Sequence, residues 1–179
     1  MHKFNQILLS AGRAALWPVL SVLVFCGCAG YNLGPTNGRP AGSQSVQINP
    51  FQNKTLEPRL SDYVSNAMRK RLQQDGSYKL DTHGDSDIII NGVITLFHRS
   101  ELSFDPNDTR TVRDYYLYMT AEVTAIERST GKVVMNRPVT GRTSIRVGPD
   151  MASAERQAVP LMAEDLARNA VAALADGTW

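Results

Sequence analysis

An apolar run that stops at two cysteines limits what this chain can fold into, because it takes the first 27 residues out of the folded part. His2 and Lys3, with Arg13 further on, make a polar, basic start. Ala14-Ala15-Leu16-Trp17-Pro18-Val19-Leu20-Ser21-Val22-Leu23-Val24-Phe25 follows. A bilayer-spanning helix needs about 20 apolar residues. This run is shorter and is interrupted by Pro18, so it reads as the core of an export signal. It ends in Phe25-Cys26-Gly27-Cys28, with an apolar residue at the third place before Cys28 and a small one directly before it. That is the pattern a lipoprotein signal peptidase reads, with residues 1–27 removed and Cys28 as the new, lipidated N-terminus. Cutting before Cys26 would put bulky Phe25 where a small side chain is required.

Lipidation has a physical purpose. Burying acyl chains in a membrane is worth about 0.8 kcal/mol per methylene, so one chain anchors marginally and two or more anchor stably. A diacylglyceryl thioether plus an N-acyl group on Cys28 would make the attachment effectively permanent, and no other cofactor is expected. Ala29 follows the cysteine where an Asp would favour retention at the inner membrane, so the expected location is the outer membrane, on its periplasmic side. With Cys26 removed, one cysteine remains and no disulfide can form.

The leader also distorts the charge balance. Of 19 Lys and Arg, two lie in the leader, leaving 17 against 17 Asp and Glu. A neutral mature chain is a poor partner for nucleic acid. Roughly 150 residues remain, enough for one domain with a proper core.

Residues 28–44 read as a lipidated N-terminus and tether, since Gly34-Pro35-Thr36-Asn37-Gly38-Arg39-Pro40 offers turns and little to bury. The single domain then spans 45–179. Ser45-Val46-Gln47-Ile48-Asn49 alternates as a strand does and ends at Pro50. Beyond Pro58, residues Leu60, Val64, Ala67, Met68 and Leu72 fall on one helical face, closed by Asp75-Gly76. Arg69, Lys70 and Arg71 fall mostly opposite and read as a solvated outer face. Tyr78-Lys79-Leu80 is a brief strand, and Ile88 to Phe97 is a β-branched, aromatic one. After an expected loop at Phe104-Asp105-Pro106-Asn107-Asp108, Tyr115, Leu117, Met119, Ala121 and Val123 alternate with Tyr116, Tyr118, Thr120, Glu122 and Thr124. A Gly-containing turn at Arg128 to Lys132 leads into a last strand region from Val133 to Val147. From about Ala152 to Ala175, Val159, Met162, Leu166, Ala170 and Leu174 make one helical stripe. Pro160 should kink this helix or mark where its regular part starts. Each stripe must be buried, and the economical solution is an α+β two-layer sandwich. Two helices pack on one face of a mixed, mostly antiparallel sheet of about four strands.

Chemistry-bearing constellations are missing from the sequence. The three histidines are His2 in the leader, His83 in a polar turn and His98 at a strand end, without a partner at metal-ligand spacing. There is no phosphate loop, dinucleotide turn or nucleophile elbow. Asp81, Asp85, Asp87, Asp105 and Asp108 sit in turns, where Asp bonds its own backbone. No catalytic or metal site is expected. A binding or assembly module at a membrane is.

Three segments carry a resemblance. They are Cys28-Ala29-Gly30-Tyr31-Asn32-Leu33, the strand-to-helix joint from Val46 to Pro58, and Leu102-Ser103-Phe104-Asp105-Pro106-Asn107-Asp108 leading into Tyr115-Tyr116-Leu117. In this order and spacing they resemble the lipopolysaccharide-assembly lipoprotein family LptE, in a divergent form. The resemblance implies two helices on a mostly four-stranded sheet, sitting as a plug inside the outer-membrane β-barrel LptD. It further implies assistance to that barrel's assembly and binding of lipopolysaccharide on its way to the outer leaflet. A ligand with phosphates and acyl chains would need exposed Arg or Lys. Arg99, Arg110 and Arg113, around the Asp105–Asp108 loop, are the first candidates for contact with the glycolipid or barrel, and Arg142 and Arg146 the second.

The strand, Asn-containing turn and helix also resemble activators of penicillin-binding proteins and the curli-secretion lipoprotein. These would make the chain a regulator of a peptidoglycan synthase or a secretion-pore subunit. A structural envelope lipoprotein without a ligand would need only the anchor.

Overall fold

In a computed structural model of the chain, residues 40–148 and 150–177 are described. The leader, Cys28 and most of the tether lie outside the described residues. Six strands and two helices follow in order: β1 (Ser45–Ile48), β2 (Gln52–Asn53), α1 (Leu60–Asp75), β3 (Lys79–Leu80), β4 (Ile88–Asp105), β5 (Asp108–Glu127), β6 (Val133–Arg146) and α2 (Met151–Asp176).

The strands form one mixed sheet in the order β3-β1-β4-β5-β6, with β2 also paired to β4. Parallel pairs join β1 to β3, β1 to β4 and β2 to β4, while β4, β5 and β6 form an antiparallel meander. The sheet therefore has six strands rather than about four. The strand not expected is the two-residue β2, which exists because β4 offers it a ladder; β3 is the brief strand expected at Tyr78-Lys79-Leu80, here two residues long and paired to β1. The expected loop at Phe104 to Asp108 is corrected as well. Strand β4 runs on to Asp105 and β5 begins at Asp108, leaving only Pro106-Asn107 as the turn of a long hairpin.

Both helices lie on one face of the sheet, α2 over β5 and β6 and α1 beside it over β1, β2 and β3. The expected stripes are the buried ones: Leu60, Val64, Ala67, Met68 and Leu72 in α1, and Val159, Met162, Leu166, Ala170 and Leu174 in α2. They meet Ile88, Ile90 and Ile94 of β4, Leu117, Met119, Ala121, Val123 and Ala125 of β5, and Met135, Val139 and Ile145 of β6 in one core. Helix α2 comes so close to β6 that a Cβ on Gly141 would stand 2.4 Å from the Met162 carbonyl oxygen. Only glycine fits beneath that turn.

The ends of the helices follow their chemistry. Gly76 caps α1 in the left-handed conformation, its N–H donating to the Leu72 carbonyl. Asp150 caps α2 by accepting from the Ser153 N–H at 3.1 Å. That cap lets α2 start well before Pro160 and continue through it, so Pro160 is not its beginning. Before α1, Asn53 holds the connecting loop: its amide donates to the Glu57 carbonyl at 2.7 Å and its carbonyl accepts from Thr55.

Candidate functional site

Strand alternation puts the odd-numbered residues of β5 from Leu117 to Ala125 under the helices, and Tyr116, Tyr118, Thr120, Glu122 and Thr124 on the opposite face. Tyr115 also points to the helix side, where it packs against the core. Among the described residues nothing covers the other face. In the cross-strand register His98, Tyr118 and Arg142 are direct neighbours over three strands, and Ser100, Tyr116 and Ser144 form the next row.

These side chains make one aromatic and basic platform. The His98 and Tyr118 rings stack with centroids 4.9 Å apart and planes 10° from parallel. Tyr116 is tilted against Tyr118 at 5.8 Å. The Arg142 guanidinium sits 5.8 Å from the centre of the Tyr116 ring, a cation–π contact that holds the charge over the face. Thr120 and Thr140 continue the polar surface, their hydroxyls 3.0 Å apart.

The arginines singled out in the sequence do not converge on one spot. Arg99 stands opposite Leu117, hence on the helix side, where it makes a two-point ion pair with Glu155 of α2 through Nε to Oε1 and Nη2 to Oε2. Arg110 lies near the hairpin tip, with its backbone N–H donating to Asp108 Oδ1 at 3.0 Å. Arg113 and Arg146 flank Asp114: Arg146 Nε donates to Asp114 Oδ1 at 3.2 Å, and the Arg113 charge is felt by the same carboxylate. The Ser103 hydroxyl, followed by these two arginines, holds Asp114 below the usual carboxylate range. Arg142 alone joins the platform. In the sequence His98 stands at a strand end without a metal-ligand partner and Tyr116 and Tyr118 have no assigned role; the register shifts at Thr95 of β4 and at Ala125/Ile126 of β5, which no sequence pattern marks, bring them together with Arg142.

The arrangement has the chemistry of a binding surface. Flat rings accept the apolar faces of sugar rings, and Arg142 offers a forked donor to phosphate. Among the described residues no three His, Cys, Asp or Glu side chains are grouped as a metal site. Also among the described residues, no helix is long and apolar enough to cross a membrane.

A small α+β sandwich with one sheet face left open defines the class of protein. The particular family follows from the sequence: the model of the lipopolysaccharide-assembly family LptE matches residues 43–174, and the chain belongs to that family. No curated protein matches it. Solved structures share the fold at low identity. A protein of Xanthomonas campestris is 10% identical with a TM-score of 0.58, over 82% of this chain and 91% of that one. A hypothetical protein of Chlamydia trachomatis is 12% identical with a TM-score of 0.55, over 73% of this chain and 95% of its own. Less similar is a minor lipoprotein of Acinetobacter baumannii, 13% identical with a TM-score of 0.49 over 74% of this chain and 92% of that one, and nothing about the fold rests on it.

Proposed function

We propose that this chain is a non-catalytic outer-membrane lipoprotein, anchored through Cys28, that partners and plugs a β-barrel of the LptD type. It assists the barrel's assembly and binds lipopolysaccharide for insertion into the outer leaflet. The observation that carries the reading is the family match across residues 43–174, which spans nearly the whole described domain. The platform supports it in kind: a glycolipid carries sugar rings for Tyr116, Tyr118 and His98 and phosphates for Arg142, with Arg110 and Arg113 further out on the hairpin. Recognition by shape and charge needs no reacting group, only a rigid display surface, and the antiparallel meander under α2 supplies one.

The test is detergent extraction of the outer membrane and pull-down on a C-terminally tagged chain, with Cys28→Ala beside it. Recovery of one large barrel in near-equal amount, lost or mislocalised with Cys28→Ala, is the expected result. Recovery of a peptidoglycan synthase, a ring of the protein itself, or nothing would replace this reading with the corresponding alternative. For the arginines, simultaneous Ala replacement of Arg110, Arg113 and Arg142 should weaken glycolipid binding, whereas replacing Arg99, which Glu155 holds on the helix side, should not; unchanged binding in the triple variant would remove these arginines from the site.

A further inference from the structure

The sheet treats its long edges differently. Along β6 the outward backbone is covered by α2: the Arg142 N–H donates to Asp165 Oδ2 at 2.9 Å, and the Thr140 carbonyl accepts from Asn169 Nδ2 at 2.9 Å. Along β4 the edge is covered only in part. Strand β1 pairs with Ile88 to Ile90 and β2 with Val93 and Ile94. A bulge at Thr95 shifts the β4–β5 register by one residue, and among the described residues no strand pairs with this edge beyond it.

The register identifies the groups left open. In an antiparallel meander each residue of the middle strand bonds to one neighbour or the other in alternation. The Arg113 carbonyl accepts from the Val147 N–H at 2.8 Å, so the odd residues of β5 bond to the β6 side. Their opposite numbers in β4 then face outward. Before the bulge these include Ile90 and Ile94, whose carbonyls accept from the Asn49 and Lys54 N–H groups. After it they are Phe97, Arg99 and Glu101, opposite Met119, Leu117 and Tyr115. Their N–H and C=O groups form a ladder edge with no partner among the described residues.

A groove lies along this edge. It holds about 530 Å³ between the loop Lys54 to Glu57 and the segment Thr95 to Arg99, and it is lined by the fully exposed Leu56 and by Leu96, 46% exposed. We propose that the barrel partner docks here by β-strand addition: an extended segment of its chain pairs with Phe97–Glu101 in the line that β2 leaves after Asn53. This inference rests on the barrel reading above and names how the two chains join. An alternating row of peptide donors and acceptors is satisfied by another peptide strand and by no lipid, and Leu56 and Leu96 would receive the strand's apolar side chains. A second copy is a poor occupant, since self-pairing centred on the free stretch sets Arg99 against Arg99.

Glu101→Pro tests the proposal, because it removes an outward N–H without touching the bond to β5, whereas Ser100→Pro removes an N–H that the hairpin itself uses. Expected from Glu101→Pro is a melting temperature close to that of the parent chain and at least a tenfold loss of barrel in the pull-down. Full barrel recovery with Glu101→Pro overturns the inference and leaves the barrel reading standing; no barrel with the unsubstituted chain overturns both. Hydrogen exchange on the purified complex gives a second measure independent of the variant. The Phe97, Arg99 and Glu101 amides, fast in the free protein, should slow at least tenfold, and fast exchange in the complex would refute strand addition. Dimers of the chain in place of barrel would also refute it.

Discussion

The two halves of the β4–β5–β6 meander are built from the same ladder and do opposite things. In the half beneath α2, Leu117, Met119, Ala121, Val123 and Ala125 are wholly inaccessible, and each strand alternates between core and surface. Beyond it, most described side chains of the hairpin around Pro106-Asn107 are exposed, Ser103, Asp105, Val112 and Asp114 are only half-buried, and Leu96, Leu102 and Phe104 remain 46%, 42% and 45% exposed. Burial holds the first half; backbone hydrogen bonds and local polar contacts hold the second. Under the proposed function, this exposed half, with its unburied leucines and phenylalanine, is the part of the sheet left for a partner.

Substitutions should separate the halves sharply. Leu166→Ala removes a fully buried side chain between α2 and the sheet and should cost about 2–5 kcal/mol, read as a lower midpoint in urea unfolding with little change in slope. A loss under about 1 kcal/mol would mean that α2 is not what holds the sheet. Gly141→Ala should cost about 1–3 kcal/mol, because the added carbon meets the α2 backbone rather than a flexible side chain. In the hairpin half, Arg99→Ala should cost at most about 1 kcal/mol. Its ion pair with Glu155 joins the free strand to α2, but the arginine side chain is half exposed. A larger loss would show that the hairpin is packed on the helix rather than merely tied to it.

How much of this was legible in the sequence follows the same division. The stripes of α1 and α2 and the alternation of β5 could be read because burial imposes a period on the residues it covers. His98-Arg99-Ser100-Glu101 carries no period because neither face is buried, so the strand there could not be told from a loop. Strand β2 owes its existence to a partner far away in the chain, which no local pattern records, whereas β3 was legible as Tyr78-Lys79-Leu80. The arginines were visible as residue types, but not their partners: Glu155, which draws Arg99 to the helix side, lies on the last helix. Neither pairing in the platform could be counted from a turn: Tyr118 meets Arg142 only after the register shift between Ala125 and Ile126, and His98 meets Tyr118 only after the bulge at Thr95.

The smallest expected effect is on acid stability. Asp87 accepts from both the Ser45 N–H and its hydroxyl, each at 2.8 Å, and these bonds hold its carboxyl below the usual range, tying the start of β1 to the start of β4. A carboxyl with a folded pKa below its unfolded value stabilises the fold above the unfolded value, and the contribution is lost as pH falls through the folded one. Stability should therefore hold from neutral pH down to about pH 4 and decline below it, and Asp87→Asn should flatten part of that decline. Thermal melts across the acid range would show it, and an unchanged profile in the variant would assign the acid sensitivity to other carboxyls. Asp114 behaves in the same sense within the hairpin, where Ser103, Arg146 and Arg113 lower its pKa.

The division of labour between the two halves is tested most directly by replacing Ser100–Tyr116, which carries Glu101 of the free edge and Tyr116 of the platform, with a short Asn-Gly-containing turn between the paired Arg99 and Leu117 and repeating the outer-membrane pull-down on the tagged, lipidated chain. The account predicts a melting temperature within a few degrees of the parent and little or no barrel recovered. Barrel recovered in full by the shortened chain would contradict it, and would place the docking surface on the helix-covered half instead.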